Sequence, residues 1–141
     1  MMRNLELQAT PEEVMRAVDE LRAFGRAQRI DDNSLFGPAL ALEECAANIV
    51  HYACGDRAQE KFRVGFDYAD GALTIELGDH GPAFDPSSAV ARELVAAADE
   101  DRPPGGWGMH LVRHYMDEVR YAREGGENVL RLVKRLQSSQ T

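Results

Sequence analysis

The chain has 141 residues, a length typical of one domain with its own hydrophobic core. Asp and Glu total 24 against 16 Lys and Arg, so the formal charge is −8, which argues against nucleic-acid binding and against an anionic membrane surface. No signal-peptide pattern is visible, and no apolar run approaches the roughly 20 residues of a membrane-spanning helix. The sequence therefore predicts a cytoplasmic protein without nucleic-acid or membrane partners, whose two cysteines, Cys45 and Cys54, are reduced and mostly buried.

The first part of the chain predicts a strand followed by two helices. Residues 4–9 form the strand, and a capping box with a proline at the first helical position, over residues 10–13, begins a helix that runs to about residue 29. Polar residues 31–34 predict a loop and a helix cap, and the second helix is expected over roughly 38–53.

The second part predicts a sheet interrupted by a long loop. Residues 62–68 and 73–77 alternate between apolar and polar, and the Asp-Gly pair between them is typical of a hairpin turn. The segment 78–108 has little periodicity, which is typical of a lid or binding loop, although residues 90–98 could form a short helix. A third helix and two strands complete the chain, over about 108–116, 119–123 and 129–136. This order predicts an α+β two-layer sandwich.

Two short patterns carry polar groups that a ligand could use. Glu44 and Asn48 are four residues apart, which places them on one face of the second predicted helix. Asp79 directly follows a predicted strand and could accept a hydrogen bond from a ligand amine, while Gly81 allows close approach of the backbone. Each pattern alone also has a structural explanation, because Glu43 beside Glu44 is typical of a solvated face and Asp with Gly is typical of a turn.

Three glycines, Gly105, Gly106 and Gly108, precede the third predicted helix. Their backbone N–H groups are unobstructed, and the helix N-terminus adds free donors and the positive end of the helix dipole. This combination suits an anion such as phosphate, and the alternative is a flexible helix entry. The pattern matches neither the P-loop nor the dinucleotide-binding fingerprint.

Taken in order, E-x-x-x-N on a helix, D-x-G after a strand and G-G-x-G after a long loop closely resemble the motifs of the Bergerat-type ATPase superfamily, which includes gyrase, Hsp90, histidine kinases and MutL. The segments LEECAANIVHYA (42–53) and GGWGMHLVRHYMDEV (105–119) resemble one branch, the stand-alone anti-sigma-factor serine/threonine protein kinases. The resemblance covers nearly the whole chain. It implies one ATP-binding domain over 1–141, a mixed, mostly antiparallel sheet with helices on one face, and an ATP lid over about 86–104.

The resemblance also implies a role for each site residue. Glu44 would be the general base that deprotonates the attacking hydroxyl, and Asn48 would coordinate the Mg²⁺ that bridges the ATP phosphates. Asp79 would accept a hydrogen bond from the adenine amino group, and Gly81 would allow close approach to the ring. The remaining nucleotide-binding positions would be Gly105, Gly106, Gly108 and Asn128.

Two positions depart from the family's pattern. Pro103 and Pro104 occupy the place where this branch often carries an arginine that reaches the γ-phosphate, and Arg102 is the nearest substitute. Asn128 stands where the family often offers a threonine to the nucleotide. Because the first departure bears on phosphoryl transfer, the alternative to a kinase is a catalytically silent ATP/ADP-binding switch of the same fold that acts by protein–protein interaction.

The resemblance implies partners as well as an activity. A kinase of this branch would phosphorylate a small antagonist protein and sequester a sigma factor, and homodimers are expected. A third hypothesis, a catalytic domain split from a histidine kinase, requires a helical segment with a phosphoacceptor histidine, and the residues before position 42 contain no histidine.

Overall fold

The computed structural model describes residues 2–55, 57–86 and 107–136. The elements in chain order are strand β1 (Arg3–Gln8), helices α1 (Pro11–Ala27) and α2 (Asp32–Asn48), a π-helical turn (Ile49–Ala53), strands β2 (Lys61–Ala69) and β3 (Ala72–Asp79), helix α3 (Trp107–Tyr115), and strands β4 (Glu118–Glu124) and β5 (Glu127–Arg135). The predicted helix over 90–98 and almost all of the predicted lid lie outside the described residues. None of the described helices has the length and apolar character that crossing a membrane requires.

The strands form one five-stranded sheet in the order β1-β2-β3-β5-β4, and all pairings between described strands are antiparallel. The β2–β3 turn has positive φ at Asp70 and Gly71, and the β4–β5 turn has positive φ at Gly125 and Gly126, as primed hairpin turns require. Since β3 pairs with β5 as well as with β2, residues far apart in the chain meet at the end of the sheet. The predicted α+β two-layer class is confirmed.

One face of the sheet packs against the helices and forms the core. Phe66, Ile75 and Leu132 lie side by side on β2, β3 and β5, and each is 0% exposed. Alternation along each strand places their sequence neighbours on the opposite face. Both cysteines are buried and free, as predicted.

The opposite face of the sheet carries a network of charges. The Arg63 Nη1 lies 2.8 Å from Glu76 Oε1, and Arg131 Nη2 lies 2.6 Å from Glu76 Oε2. Burial raises the pKa of Glu76, but hydrogen bonds and positive charge from Arg131 and Arg63 outweigh it, so the pKa lies below its usual value. The described helices therefore cover one face of the sheet, as the resemblance implied.

The start of helix α2 was wrongly predicted. The helix begins at Asp32, because the Asp31 carboxylate accepts a hydrogen bond of 2.7 Å from the Ser34 N–H and caps it. Pro38, at the predicted start of this helix, lies inside it. Burial of Leu35 and Pro38 in the core stabilises a helical turn that a proline would otherwise disfavour. By contrast, the predicted cap of α1 is confirmed, since Thr10 Oγ1 accepts from the Glu13 N–H at 3.2 Å.

Helix α3 packs antiparallel against α2 through two glycines. A Cβ on Gly37 of α2 would lie 2.7 Å from Tyr115 Cδ1 at the end of α3, and a Cβ on Gly108 of α3 would lie 2.6 Å from Glu44 Oε2. The two contacts are at opposite ends of α3. This packing therefore holds the N-terminus of α3 against the middle of α2.

We expect Gly37→Ala to destabilise the protein by on the order of 1 kcal/mol. Alanine gains about 1 kcal/mol of helix propensity, but overpacking against Tyr115 costs about 1–3 kcal/mol. Urea denaturation would measure the free energy of unfolding. In a Tyr115→Ala background the same change should be neutral or stabilising; an equal loss in both backgrounds would contradict the contact.

Candidate functional site

A cleft lies between the C-terminal half of α2 and one end of the sheet. It encloses about 400 Å³, including space open to solvent. Three polar side chains line it: Asn48, Asp79 and Asn128. The other lining residues are largely apolar: Cys45, Ile49, Ala53, Leu77, Phe84, Pro86, Tyr121 and Leu130. A mostly apolar cleft with a few convergent polar groups is typical of a small-molecule site.

Asp79 is a buried carboxylate at the floor of this cleft, and it is 6% exposed. It is the last residue of β3, and its Oδ1 accepts hydrogen bonds of 2.9 Å from the Gly81 N–H and from Asn128 Nδ2. Within the described part of the chain, no group donates to Oδ2. One oxygen is thus held by the protein, and the other can accept a hydrogen bond from a ligand.

Gly81 passes close to the π-helical turn that follows α2. A Cβ on Gly81 would lie 2.9 Å from the Ala53 carbonyl oxygen and 3.1 Å from Ala53 Cβ, and backbone atoms cannot move away as a flexible side chain can. Only glycine fits this approach. The π-helical turn shifts the helix register by one residue, a feature that often occurs at functional sites.

Asn128 lies beside Asp79 in the β3–β5 register and joins three segments. Its Nδ2 donates to three oxygens: Asp79 Oδ1 at 2.9 Å, the Pro82 carbonyl at 2.9 Å and the Gly81 carbonyl at 3.3 Å. Its Oδ1 accepts from three donors: the Tyr121 hydroxyl at 2.5 Å, Arg123 Nη1 at 3.0 Å and the Phe84 N–H at 3.4 Å. These bonds tie β4, β5 and the segment after β3 together.

Glu44 lies one helical turn before Asn48, against the start of α3. The Gly108 backbone approaches its carboxylate so closely that a Cβ there would overlap it. Burial, with a smaller contribution from the negative charge of Glu43, raises the pKa of Glu44 above its usual value. A partly buried carboxylate with a raised pKa beside a cleft has the properties of a general base.

The structure brings together most of the predicted site residues. Asn48, Asp79 and Asn128 line one cleft, and the Gly81 N–H donates to Asp79. Glu44, one helical turn from Asn48, contacts Gly108 at the start of α3. The predicted roles of these residues stay predictions. Gly105 and Gly106 lie outside the described residues, and so do Arg102, Pro103 and Pro104.

Sequence reasoning missed the contributions of Tyr121, Arg123 and Phe84 to the site. The signal was available for two of them, because Val119, Tyr121 and Arg123 alternate along β4 and therefore share its helix-facing side. His80 is exposed and lines a neighbouring polar pocket with Arg57 and Lys61.

The chemistry of the donor set fits a loosely held hard cation. Among the described residues, no three His, Cys, Asp or Glu side chains are grouped to hold a metal ion. The Asn48 amide oxygen is a hard ligand at the mouth of the cleft. Mg²⁺ is commonly bound by one or two protein oxygens, with waters and substrate phosphates completing its shell. A single protein ligand of this kind suits that arrangement.

We expect Glu44→Gln to raise the thermal stability of the protein at neutral pH, by roughly 1–4 °C in Tm. Since the folded-state pKa of Glu44 is raised, its ionised form disfavours the fold, and the stabilising effect of the substitution should appear as pH rises above about 4. Calorimetric Tm values at pH 4 and pH 7.5 measure this.

The neighbouring variant Glu43→Gln provides a graded comparison. It removes only the minor cause of the raised pKa, so its gain at pH 7.5 should be smaller. A Glu44→Gln protein with the same Tm as the wild type at pH 7.5 would contradict the raised pKa.

The chain was compared with known proteins by family, by sequence and by structure. Residues 7–134 match the family described as a histidine kinase-like ATPase domain. The serine/threonine-protein kinase BtrW of Bordetella bronchiseptica is 29% identical over 129 residues, which cover 92% of this chain and 90% of that protein.

Two solved structures share the architecture. The RsbU and RsbW domains of Rv1364c from Mycobacterium tuberculosis superpose with a TM-score of 0.68 at 19% identity over 96% of this chain, which spans only 32% of that larger chain. The SiaB–SiaC complex from Pseudomonas aeruginosa gives a TM-score of 0.67 at 14% identity, covering 93% of this chain and 88% of the other. At these identities the likeness speaks to the fold.

Proposed function

The chain belongs to the family of histidine kinase-like ATPase domains, as its motifs predicted, and we propose that it is an ATP-dependent serine/threonine protein kinase of the anti-sigma-factor type. The observation that carries this proposal is that Asp79 and Asn48 line one cleft and that Glu44 lies one helical turn from Asn48, against the start of α3. Asp79 can accept a hydrogen bond from a nucleotide base, Asn48 can bind a hard cation, and Glu44 can act as the general base near the start of α3.

The floor of the cleft suits an adenine ring. Apolar side chains such as Ile49 and Leu130 line the cleft, and the free Oδ2 of Asp79 can accept a hydrogen bond from an exocyclic amine. Because Gly81 has no Cβ, its backbone can lie close to the Asp79 carboxylate. The Gly81 N–H donates a hydrogen bond to Asp79 Oδ1. ATP is therefore the proposed nucleotide.

The triphosphate would extend from this floor toward Asn48 and the N-terminus of α3. Asn48 would hold Mg²⁺, which neutralises phosphate charge when bound. The backbone N–H groups at the start of α3, next to Gly108, carry the positive end of the helix dipole. We propose that Gly105 and Gly106 add to this phosphate site and that residues 86–104 form the lid of a single domain spanning 1–141.

Glu44 would act on the nucleophile. Its raised pKa makes it a stronger base than an ordinary glutamate. The Gly108 backbone lies against its carboxylate, which places Glu44 beside the start of α3. Glu44 would accept the proton of an incoming serine or threonine hydroxyl as that oxygen attacks the γ-phosphate.

The proposed acceptor is a serine or threonine of a small antagonist protein, and the proposed sequestered partner is a sigma factor. The proposed kinase acts in the cytoplasm as a homodimer. Three observations support this assignment. BtrW, similar over nearly its whole length, is named a serine/threonine-protein kinase. SiaB, which shares the fold, was solved in complex with a second protein, SiaC. A net charge of −8 is compatible with a basic protein partner and unfavourable for DNA.

The second candidate function is a catalytically silent ATP/ADP-binding switch. It is favoured by Pro103 and Pro104, which stand where a phosphate-contacting arginine is common in this branch. The switch and the kinase share every contact of the cleft, so binding of ATP cannot separate them. Phosphoryl transfer can.

Titration calorimetry with ATP tests the cleft. We expect saturable binding that requires Mg²⁺, with an affinity at least about tenfold lower in Asn48→Ala and in Asp79→Asn, because each removes a polar contact to the nucleotide or its cation. Asn33→Ala, an exposed asparagine in the first turn of the same helix, is the matched control. Equal affinity in all four proteins would place the nucleotide elsewhere.

Transfer of label from γ-labelled ATP to proteins in an extract of the source organism tests the chemistry. We expect the wild type to label a serine or threonine of a small protein, and Glu44→Gln to reduce the rate by about 10²–10⁴-fold without weakening ATP binding, because only the general base is lost. Glu43→Gln should retain transfer. ATP binding with no labelled protein in any of these samples would favour the silent switch.

A further inference from the structure

Asn128 makes more hydrogen bonds within the protein than a side chain that only contacts a nucleotide would need. We propose that Asn128, held by Tyr121 and Arg123, is a positioning residue that orients the Asp79 carboxylate and thereby sets the preference of the cleft for a purine bearing an exocyclic amine. This inference rests on the proposed nucleotide-binding function. It gives Asn128 an indirect role, in place of the direct contact that the resemblance implied.

The surroundings of the Asn128 amide determine which way it points. Every group near one end is an acceptor: the Asp79 carboxylate and the Gly81 and Pro82 carbonyls. Every group near the other end is a donor: the Arg123 guanidinium, the Tyr121 hydroxyl and the Phe84 N–H. A flipped amide would place its NH₂ against donors and its oxygen against a carboxylate, so only one orientation is compatible with these partners.

The amide has no hydrogen-bonding capacity left for a ligand. Two N–H hydrogens are shared among three acceptors, and two oxygen lone pairs among three donors. The residue is also 5% exposed. Any influence of Asn128 on a bound nucleotide must therefore pass through Asp79 or through the segment that follows it.

The consequence for Asp79 is a fixed acceptor. The bonds from Asn128 and Gly81 both go to Oδ1, which leaves Oδ2 to face a ligand donor. A 6-amino purine supplies that donor. A 6-oxo purine would set its oxygen against Asp79 Oδ2 and leave that carboxylate oxygen without a donor, so it should bind more weakly.

Arg123 adds a second attachment to the same segment. Its Nη1 donates to the Gly81 carbonyl at 2.9 Å as well as to Asn128. Tyr121 and Arg123 lie on β4, two residues apart and on the same face, so one edge strand holds the floor of the cleft. Loss of either contact should loosen Asp79 without removing it.

Binding of ATP and of ITP, which carries an oxygen in place of the amine, tests the proposal at pH 7.5. We expect the wild type to prefer ATP, and the ratio of the two dissociation constants to fall roughly three- to tenfold in Tyr121→Phe, because one hydrogen bond that orients Asn128 is lost. Tyr68→Phe, the same change on β2 facing the core, is the matched control. Partial unfolding would weaken the binding of both nucleotides equally and leave the ratio of their dissociation constants unchanged.

Asn128→Asp sharpens the test with a nearly isosteric change. Two carboxylates at hydrogen-bond distance repel each other, so the substitution replaces the bond that orients Asp79 with a contact that displaces it. We expect the ATP preference to shrink further than in Tyr121→Phe. An ATP/ITP ratio in both variants equal to that of Tyr68→Phe would overturn the proposal.

Amide hydrogen exchange of the ligand-free protein separates this inference from the function on which it rests. In Tyr121→Phe the Gly81 and Phe84 amides should exchange faster, while amides of α1 should not. Unchanged exchange would overturn the positioning role. Faster exchange in a protein that binds neither nucleotide would refute the proposed function and the specificity, and would leave the Asn128 contacts as a structural attachment.

Discussion

The hydrogen bond from Asn128 to Asp79 is the contact on which the arrangement of the site depends. It joins β5 to the end of β3, and the same amide also reaches the segment after β3 and the side chains of β4. Because that segment in turn passes within contact distance of Ala53, the sheet and the turn that follows α2 are held at a defined separation. The width of the cleft follows from these contacts rather than from any one element.

The pKa values of two carboxylates in this protein are shifted in opposite directions, because their surroundings differ. On the outer face, Arg63 and Arg131 surround Glu76 and keep it ionised despite burial. On the helical side, burial acts on Glu44 together with the like charge of Glu43, and its pKa rises. The ion pairs of Glu76 stabilise the sheet. The surroundings of Glu44 lower stability and make its carboxylate a stronger base, a pattern typical of functional sites.

Local signals in the sequence predicted most of the fold, and they failed where a tertiary contact overrode them. The α1 cap and both tight turns were predicted correctly, because capping side chains and turn glycines act within a few residues. The start of α2 was missed, since Pro38 is an unfavourable residue in a helix interior and only burial in the core compensates for it. Propensity rules contain no information about that burial.

The sequence by itself determined the family and the identity of the candidate site residues, because their types and spacing are properties of the chain. Only the tertiary structure decided how these residues relate. The β3–β5 pairing places Asn128 next to Asp79, although 49 positions separate them in the chain. The packing of α3 on α2 brings Glu44 into contact with Gly108. Such effects arise from strand order, burial and neighbouring charge, and these exist only once distant segments have packed together.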